Sequence, residues 1–353
     1  MTRQKKVYSS GRDAWVDYAK AIGIVLVVYG HVARGVFNAG IPMDVPLYQL
    51  VDSIIYSFHM PLFFFLSGLF FFHSLRRRGR MTLAANKVDT ILYPYILWSL
   101  IQGLVEVGLA HYTSGNVTLT EVLSLWDPRA QFWFLYALFL VVVAAILIYR
   151  SERQAVLLGV LTLAVLAYVF QAAIPSAFHS DYVVKNLVFF ALGIWFSTVK
   201  DQLAAHAGRW AIAGIIGFVV AQFIFHIELG LLFEDKGIAS LLVAVVSILA
   251  VATLSMWLAR FPASWMLALG GASMGIYLMH ILAGSGARIL LDRLLGVQDA
   301  WVYLLIGSLV SILLPMLILW VLGRLRVRGV LEAPARLSVE AWYHRHCVET
   351  NGA

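Results

Sequence analysis

The sequence predicts an all-α polytopic membrane protein, a bundle of about ten transmembrane helices with both termini in the cytoplasm. Three observations carry that prediction. The 353 residues are 61% hydrophobic and only 13% charged, about half the charge of a soluble domain, and the mean hydropathy is +0.84. Apolar runs long enough to cross a bilayer recur along nearly the whole chain. The basic residues between those runs alternate between rich and poor segments, as the positive-inside bias of membrane proteins requires.

Taken in order, the spans fall at roughly 14–36, 51–73, 90–111, 131–149, 154–174, 183–199, 208–227, 238–258, 264–284 and 300–322. The first is uninterrupted from Ala21 to Val28 and lacks a small-residue cleavage site, so it reads as a retained helix and not as a signal peptide. The second contains "PLFFFLSGLFFF", the third "LYPYILW" and the fourth "FWFLYALF". The sixth, built on "NLVFFALGI", is short for a span. Residues 323–353 form a cytoplasmic tail, and "EAPARLSVEAWYHRHC" within it reads either as a short amphipathic helix on the membrane face or as a solvated tail. No linker, repeat or low-complexity tract divides 1–353, so the chain reads as a single transmembrane domain.

Ten alternating spans put nineteen of the 26 Lys and Arg residues on one side, six on the other, and Lys20 inside span 1. The rich side carries Arg3, Lys5, Lys6 and Arg12 at the N-terminus, the run Arg76, Arg77, Arg78 and Arg80 with Lys87, and the arginines of the tail. That side is the cytoplasm. The net charge of +7 is accounted for by this topology and asks for no nucleic acid. Cys347 is the single cysteine, which excludes an internal disulfide and a cysteine metal cluster. The histidine spacings match no zinc motif and no haem-attachment motif, so no metal ligand is predicted.

Depth follows from the helical rise. Asp17 and Lys20 lie near the inner end of span 1, and His31 lies eleven residues further on, about 16 Å along the axis. His59 in span 2, His280 in span 9 with Tyr277 one turn before it, Trp133 and Tyr136 in span 4 and Asn186 in span 6 fall in the same outer layer. Ionisable groups at such depth are costly and usually mark a site. For His59 and His280 a snorkelling interfacial residue is an equal alternative. Lys20 is equally well read as neutralising Asp17, Trp133 as an aromatic-belt residue and the arginine run as a topology signal. His31 stands apart because its helix carries a second ionisable residue deeper in.

The chain resembles the acyltransferase-3 family of integral membrane O-acyltransferases. The matching pieces are "DYAKAIGIVLVVYGH", "HMPLFFFLSGLFF", "LYPYILW", "FWFLYALF", "NLVFFALGI" and "SMGIYLMH", in the family's order and across most of the chain. A basic residue, ten intervening residues and a histidine form the family's first-helix signature, here Lys20 and His31. Its arginine-x-x-arginine loop motif corresponds to Arg77 and Arg80. Lysine stands at 20 where many members have arginine, which lacks the lysine's point-charge geometry and makes a bidentate fork to phosphate. The resemblance implies transfer of an acetyl or other acyl group from cytoplasmic acyl-CoA to a hydroxyl of an extracytoplasmic or lipid-linked glycan, in a bacterial inner membrane and without a permanently bound cofactor. Many members carry an extra domain; here the helical core is expected to perform the whole reaction.

On that reading Arg76, Arg77, Arg78, Arg80 and Lys87 hold the phosphates of acetyl-CoA, with help from Lys20. Asp17 pairs with Lys20, and His31 takes the proton from the attacking hydroxyl. His59, Trp133, Tyr136, Asn186, Tyr277 and His280 line the acceptor side. A transporter or flippase of a glycan intermediate is the alternative; the absence of paired halves with broken helices argues against it.

Overall fold

The computed structural model describes residues 13–109 and 117–348, and the described residues form helices and connections with no strand. The chain runs α1 (Ala14–Asn38), α2 (Val45–Tyr56), α3 (His59–Gly68), α4 (Phe71–Arg78), α5 (Arg80–Lys87), a π-helical turn (Val88–Leu92), α6 (Tyr93–Gly108) and α7 (Leu119–Leu123). It continues with α8 (Trp133–Ile148), α9 (Gln154–Val169), α10 (Ser180–Phe196), α11 (Lys200–Ala205), α12 (Ala207–Phe223), α13 (Ile238–Leu258), α14 (Ser264–Arg293), α15 (Ala300–Arg324) and α16 (Val339–Tyr343). Among the described residues eight helical stretches are long and apolar enough to cross a membrane; α9 is apolar but shorter. The protein is an all-α polytopic membrane bundle.

Helix α1 sits at its centre, packed on α14 above all and also on α15, α13 and α3. Its apolar positions pack against these neighbours: Trp15, Ile24, Val27, Val28 and Val36 are all buried. By contrast α12 and α15 expose rows of large apolar side chains, among them Ile212, Ile216, Val219, Leu305, Leu313 and Leu317. A soluble surface does not tolerate such rows, and lipid does. Trp301 and Trp320 are exposed at the two ends of α15. Nineteen residues of helix separate them by about 28 Å, close to the thickness of the bilayer's hydrocarbon core, so they fit two aromatic belts.

Eight of the ten predicted spans fall on stretches long and apolar enough to cross a membrane, whereas the fifth and sixth fall on α9 and α10, helices of 16 and 17 residues. Span 2 is not one helix but α2, α3 and α4 in series. Pro61 supplies the reason for the first break: it has no N–H to give the Ser57 carbonyl, and its ring would strike that carbonyl in a continuous helix. Helix α14 runs nine residues past the predicted end of span 9, to Arg293, because glycine and serine in "AGSGAR" interrupt hydropathy without interrupting the helix. Span 3 begins earlier, with α5, after a turn at Gly79 (φ 76°) that suits glycine.

The connectors predicted to be basic gather at one end. Lys200 meets Asp13 at 2.6 Å, Arg76 meets Glu152 at 2.7 Å, and Arg260 donates to the Ala204 carbonyl at 2.7 Å. Arg3, Lys5, Lys6 and Arg12 lie outside the described residues. The described part of the tail is tied to the helices while Leu337 and Trp342 stay exposed. Ser338 Oγ (2.6 Å) and the Val339 amide (2.8 Å) donate to buried Asp89 at the start of α16, and Trp98 Nε1 donates to the Val330 carbonyl at 2.8 Å. A carboxylate at a helix start satisfies otherwise orphaned amides.

Candidate active site

Three histidines enter one layer from three helices, and each is held the same way. The Nδ1 atoms of His31, His59 and His280 lie 3.0 Å from the Val27 carbonyl, 2.7 Å from the Ile55 carbonyl and 2.7 Å from the Tyr277 carbonyl. A carbonyl only accepts, so Nδ1 carries the proton in all three, and Nε2 of the neutral ring is left with its lone pair. His59 and His280 are fully buried, and their Nε2 atoms have no partner among the described residues. His31 is only half-buried. Its ring stands edge-to-face on His280 with centroids 5.0 Å apart, and Tyr56 lies between it and His59, 6.2 Å from one and 4.4 Å from the other.

Three cavities meet around this layer. The first, of about 360 Å³, starts at Lys20, Ser74 and Lys87 near the basic end and runs along apolar side chains to Met60 and Tyr277. The second, of about 340 Å³, holds His31, His59, Arg34, Gln131 and Trp133, and shares Met60 and Tyr277 with the first. Those two side chains are therefore a wall between a cavity with a cationic mouth and a cavity with histidines. The third, of about 220 Å³, lies on the other side of His31 and Arg34, toward α14 and α15. His31 thus borders two cavities and is separated from the first by a single wall.

Backbone features fix that wall. The Tyr277 hydroxyl donates to the Gln131 carbonyl. Gln131 exchanges side-chain hydrogen bonds with Gln102, which donates to Glu106 at 2.8 Å, and Glu106 pairs with Arg129 at 3.2 Å. Ala130 beside it has φ 46°, an uncommon conformation for a residue with a Cβ. Gly270 lets α1 and α14 touch: a Cβ there would lie 2.0 Å from the Asp17 carbonyl oxygen. Small residues are the usual means by which membrane helices approach this closely.

The predicted residues divide into groups. Lys20 and Lys87 line the first cavity, and Tyr277 its far wall. Trp133, His59 and His31 line the second. Asp17 is buried at the basic end of α1, far from the histidines. Tyr136 faces Tyr95, His179 and Tyr182, and Asn186 donates to the Tyr182 carbonyl at 2.8 Å; neither borders the histidine cavity. The arginine run is partly committed. Arg76 pairs with Glu152 and Arg78 with Glu340 at 3.4 Å, while Arg80 donates to the carbonyls of Ile146 and Tyr149 at the end of α8. Arg77 is exposed.

Sequence reasoning missed Arg34, Asp52 and Tyr56. Arg34 forks onto Asp52 with two bonds of 2.8 Å, and its guanidinium lies 3.3 Å above the Tyr56 ring. The signal was present: Arg34 is three residues after His31 and Tyr56 four after Asp52, so each pair shares a helix face. Among the described residues no group of three His, Cys, Asp or Glu side chains is placed to hold a metal ion.

Comparison with known proteins gives a family match. A family model described as an acyltransferase domain matches residues 13–320. Two curated relatives, both named nodulation protein NolL, are similar over part of their length. That of Mesorhizobium japonicum is 28% identical over 133 residues, 37% of this chain and 35% of the relative. That of Sinorhizobium fredii is 25% identical over 138 residues, 36% of this chain and 34% of the relative. The match thus spans about a third of each relative's length. No solved structure matches the chain significantly.

Proposed function

This chain belongs to the acyltransferase-3 family, and on that premise we propose that it moves an acetyl or similar acyl group from cytoplasmic acyl-CoA to a hydroxyl of a glycan on the far side of the membrane. The observation that carries the reading is the position of His31. Its imidazole is held with Nε2 free, between cavities, one wall away from a cavity whose mouth is cationic.

In this reading Lys20 and Lys87 attract the CoA phosphates at the basic end, where the tail and Arg78 meet. Lysine acts there as a point charge and not as a fork. The pantetheine arm follows the apolar cavity and brings the thioester to the Met60–Tyr277 wall. The acceptor hydroxyl approaches from the histidine side. His31 Nε2 takes the hydroxyl proton while the oxygen attacks the thioester carbonyl. Collapse of the tetrahedral intermediate breaks the carbon–sulfur bond. The ester leaves on the glycan, and the CoA sulfur departs and regains a proton, so that alcohol and thioester become ester and thiol. The buried Nε2 atoms of His59 and His280 keep the surrounding layer polar without competing for the Val27-anchored ring.

The test is a pair of substitutions in full-length protein in detergent or nanodiscs. His31→Ala and His31→Gln are both expected to lower acetyl-CoA turnover by about a hundredfold to ten-thousandfold, at unchanged melting temperature. Glutamine hydrogen-bonds but does not take the proton, so near-native turnover by His31→Gln refutes the base. Reporter fusions after Arg78 and after Arg326 are expected to read cytoplasmic; an extracytoplasmic reading reverses the direction of transfer.

A further inference from the structure

The third cavity has a charge that the reaction itself does not use. It is lined by His31, His280, Arg34, Ser285, Arg288 and Tyr303, beside Gly284 and Gly307, which let α14, α15 and α1 pack closely. Arg34 is oriented but neutralised by its fork to Asp52. Arg288 is different. It is half-buried, borders the cavity, and has no hydrogen-bond or ion-pair partner among the described residues. The next carboxylate along α14, Asp292, lies 3.8 Å from Arg293 instead. One positive charge therefore faces a cavity that also reaches His31.

A half-buried arginine beside a cavity and without a counter-ion gains from an anion that enters it. Its planar fork matches a phosphate or a carboxylate with two parallel bonds. The N–H groups of Arg34 not used by Asp52 add donors from the opposite wall, since guanidinium has five and the fork to Asp52 takes two.

We propose that this cavity is the subsite for an anionic group on the acceptor, a phosphate or a carboxylate, which Arg288 and Arg34 hold so that a neighbouring hydroxyl faces His31. The proposal rests on the acyl-transfer reading given above and narrows its substrate class to acidic or phosphorylated glycans. Two arginines on one side of His31 and the thioester wall on the other would place acceptor and donor on opposite faces of the base. A neutral sugar would lose the anchoring contact and sit in the same cavity unoriented.

Binding separates the two claims. Full-length protein in detergent is titrated calorimetrically with glucose 1-phosphate, glucuronic acid and methyl glucoside. At least one of the two anionic sugars is expected to bind about tenfold to a hundredfold more tightly than methyl glucoside, as a charge-assisted pair implies. A preference for glucose 1-phosphate identifies the anion as phosphate, and one for glucuronic acid as a carboxylate. Arg288→Gln is expected to remove the preference, and Arg288→Lys to keep part of it, which guards against a folding defect. Equal or undetectable binding of all three sugars, or an unchanged preference in Arg288→Gln, overturns the subsite. His31→Gln is measured beside them for acetyl-CoA turnover. If it retains turnover while Arg288→Gln loses the anion, the base is wrong and the subsite stands; the reverse result leaves the base and removes the subsite.

Discussion

Gly270→Ala is the most demanding test of how α1 and α14 hold the histidines. The added Cβ would lie 2.0 Å from the Asp17 carbonyl oxygen, 2.6 Å from its carbon and 2.8 Å from its Cα. Those are backbone atoms, so no side chain can swing aside. Real Cβ contacts begin near 3.0 Å, and the helices must separate by about 1 Å. Helix α1 carries His31 and α14 carries Tyr277 and His280, so the separation acts on both sides of the site. A misplacement of about 1 Å in a catalytic constellation costs on the order of a hundredfold in rate, and overpacking of this kind costs about 1–3 kcal/mol in stability. Thiol release from acetyl-CoA and thermal unfolding, both in one detergent, read the two effects. Gly159→Ala on α9 is the control: nothing lies within 4 Å of its Cβ, and replacing a helical glycine by alanine is neutral or favourable. If Gly270→Ala turns over acetyl-CoA within about twofold of the parent, the close approach does not position the site.

Three further outcomes follow from the geometry. Asp52→Asn removes the largely buried charge that pairs with a partly exposed Arg34, whereas Glu152→Gln opens a surface pair with Arg76; the first is expected to destabilise by about 1–3 kcal/mol and the second by under about 1 kcal/mol, and equal melting temperatures contradict the assignment. Glu340→Gln releases Arg78 and Asn86 at the basic end, so the Michaelis constant for acetyl-CoA is expected to fall; a rise shows that the pair builds the donor mouth. Glu121 closes a capping box with Thr118 on α7, and hydrogen bonds from Thr118 hold its carboxyl below the usual carboxylate range. Its contribution is present above that range and lost as pH falls through the lowered value, so protection of the amides over 119–123, relative to the intrinsic exchange rate at each pH, is expected to fall on acidification and not to do so in Thr118→Ala; an identical pH response in that variant refutes the cap.

What the sequence reveals is what a helix makes regular. Residue count converts to depth at a fixed rise, so His31, His59 and His280 were legible as one layer. Uniform hydropathy made α13 legible to the residue at 238–258. Rotation of one helix against another has no such rule, and the pairing of Arg34 with Asp52 depends on it. The break before His59 follows from Pro61, a signal that apolar counting passes over. Tyr136 and Asn186 have the right depth but the wrong azimuth, facing Tyr95 and the Tyr182 carbonyl. The committed arginines are a further case: charge alone does not say that Arg80 is occupied with the end of α8.

The wall of Met60 and Tyr277 also has an electrical consequence. The two cavities share these side chains, which are the insulation between them. A membrane voltage falls across whatever low-dielectric thickness remains, so the field is steepest there. Moving one elementary charge through the full potential is worth about 2.3 kcal/mol per 100 mV. In the transfer proposed above, a proton leaving the hydroxyl on one side of the wall, balanced by a thiolate on the other, would sense a share of that drop. If the proposed transfer runs through this septum, its rate would depend on the polarisation of the membrane that holds it.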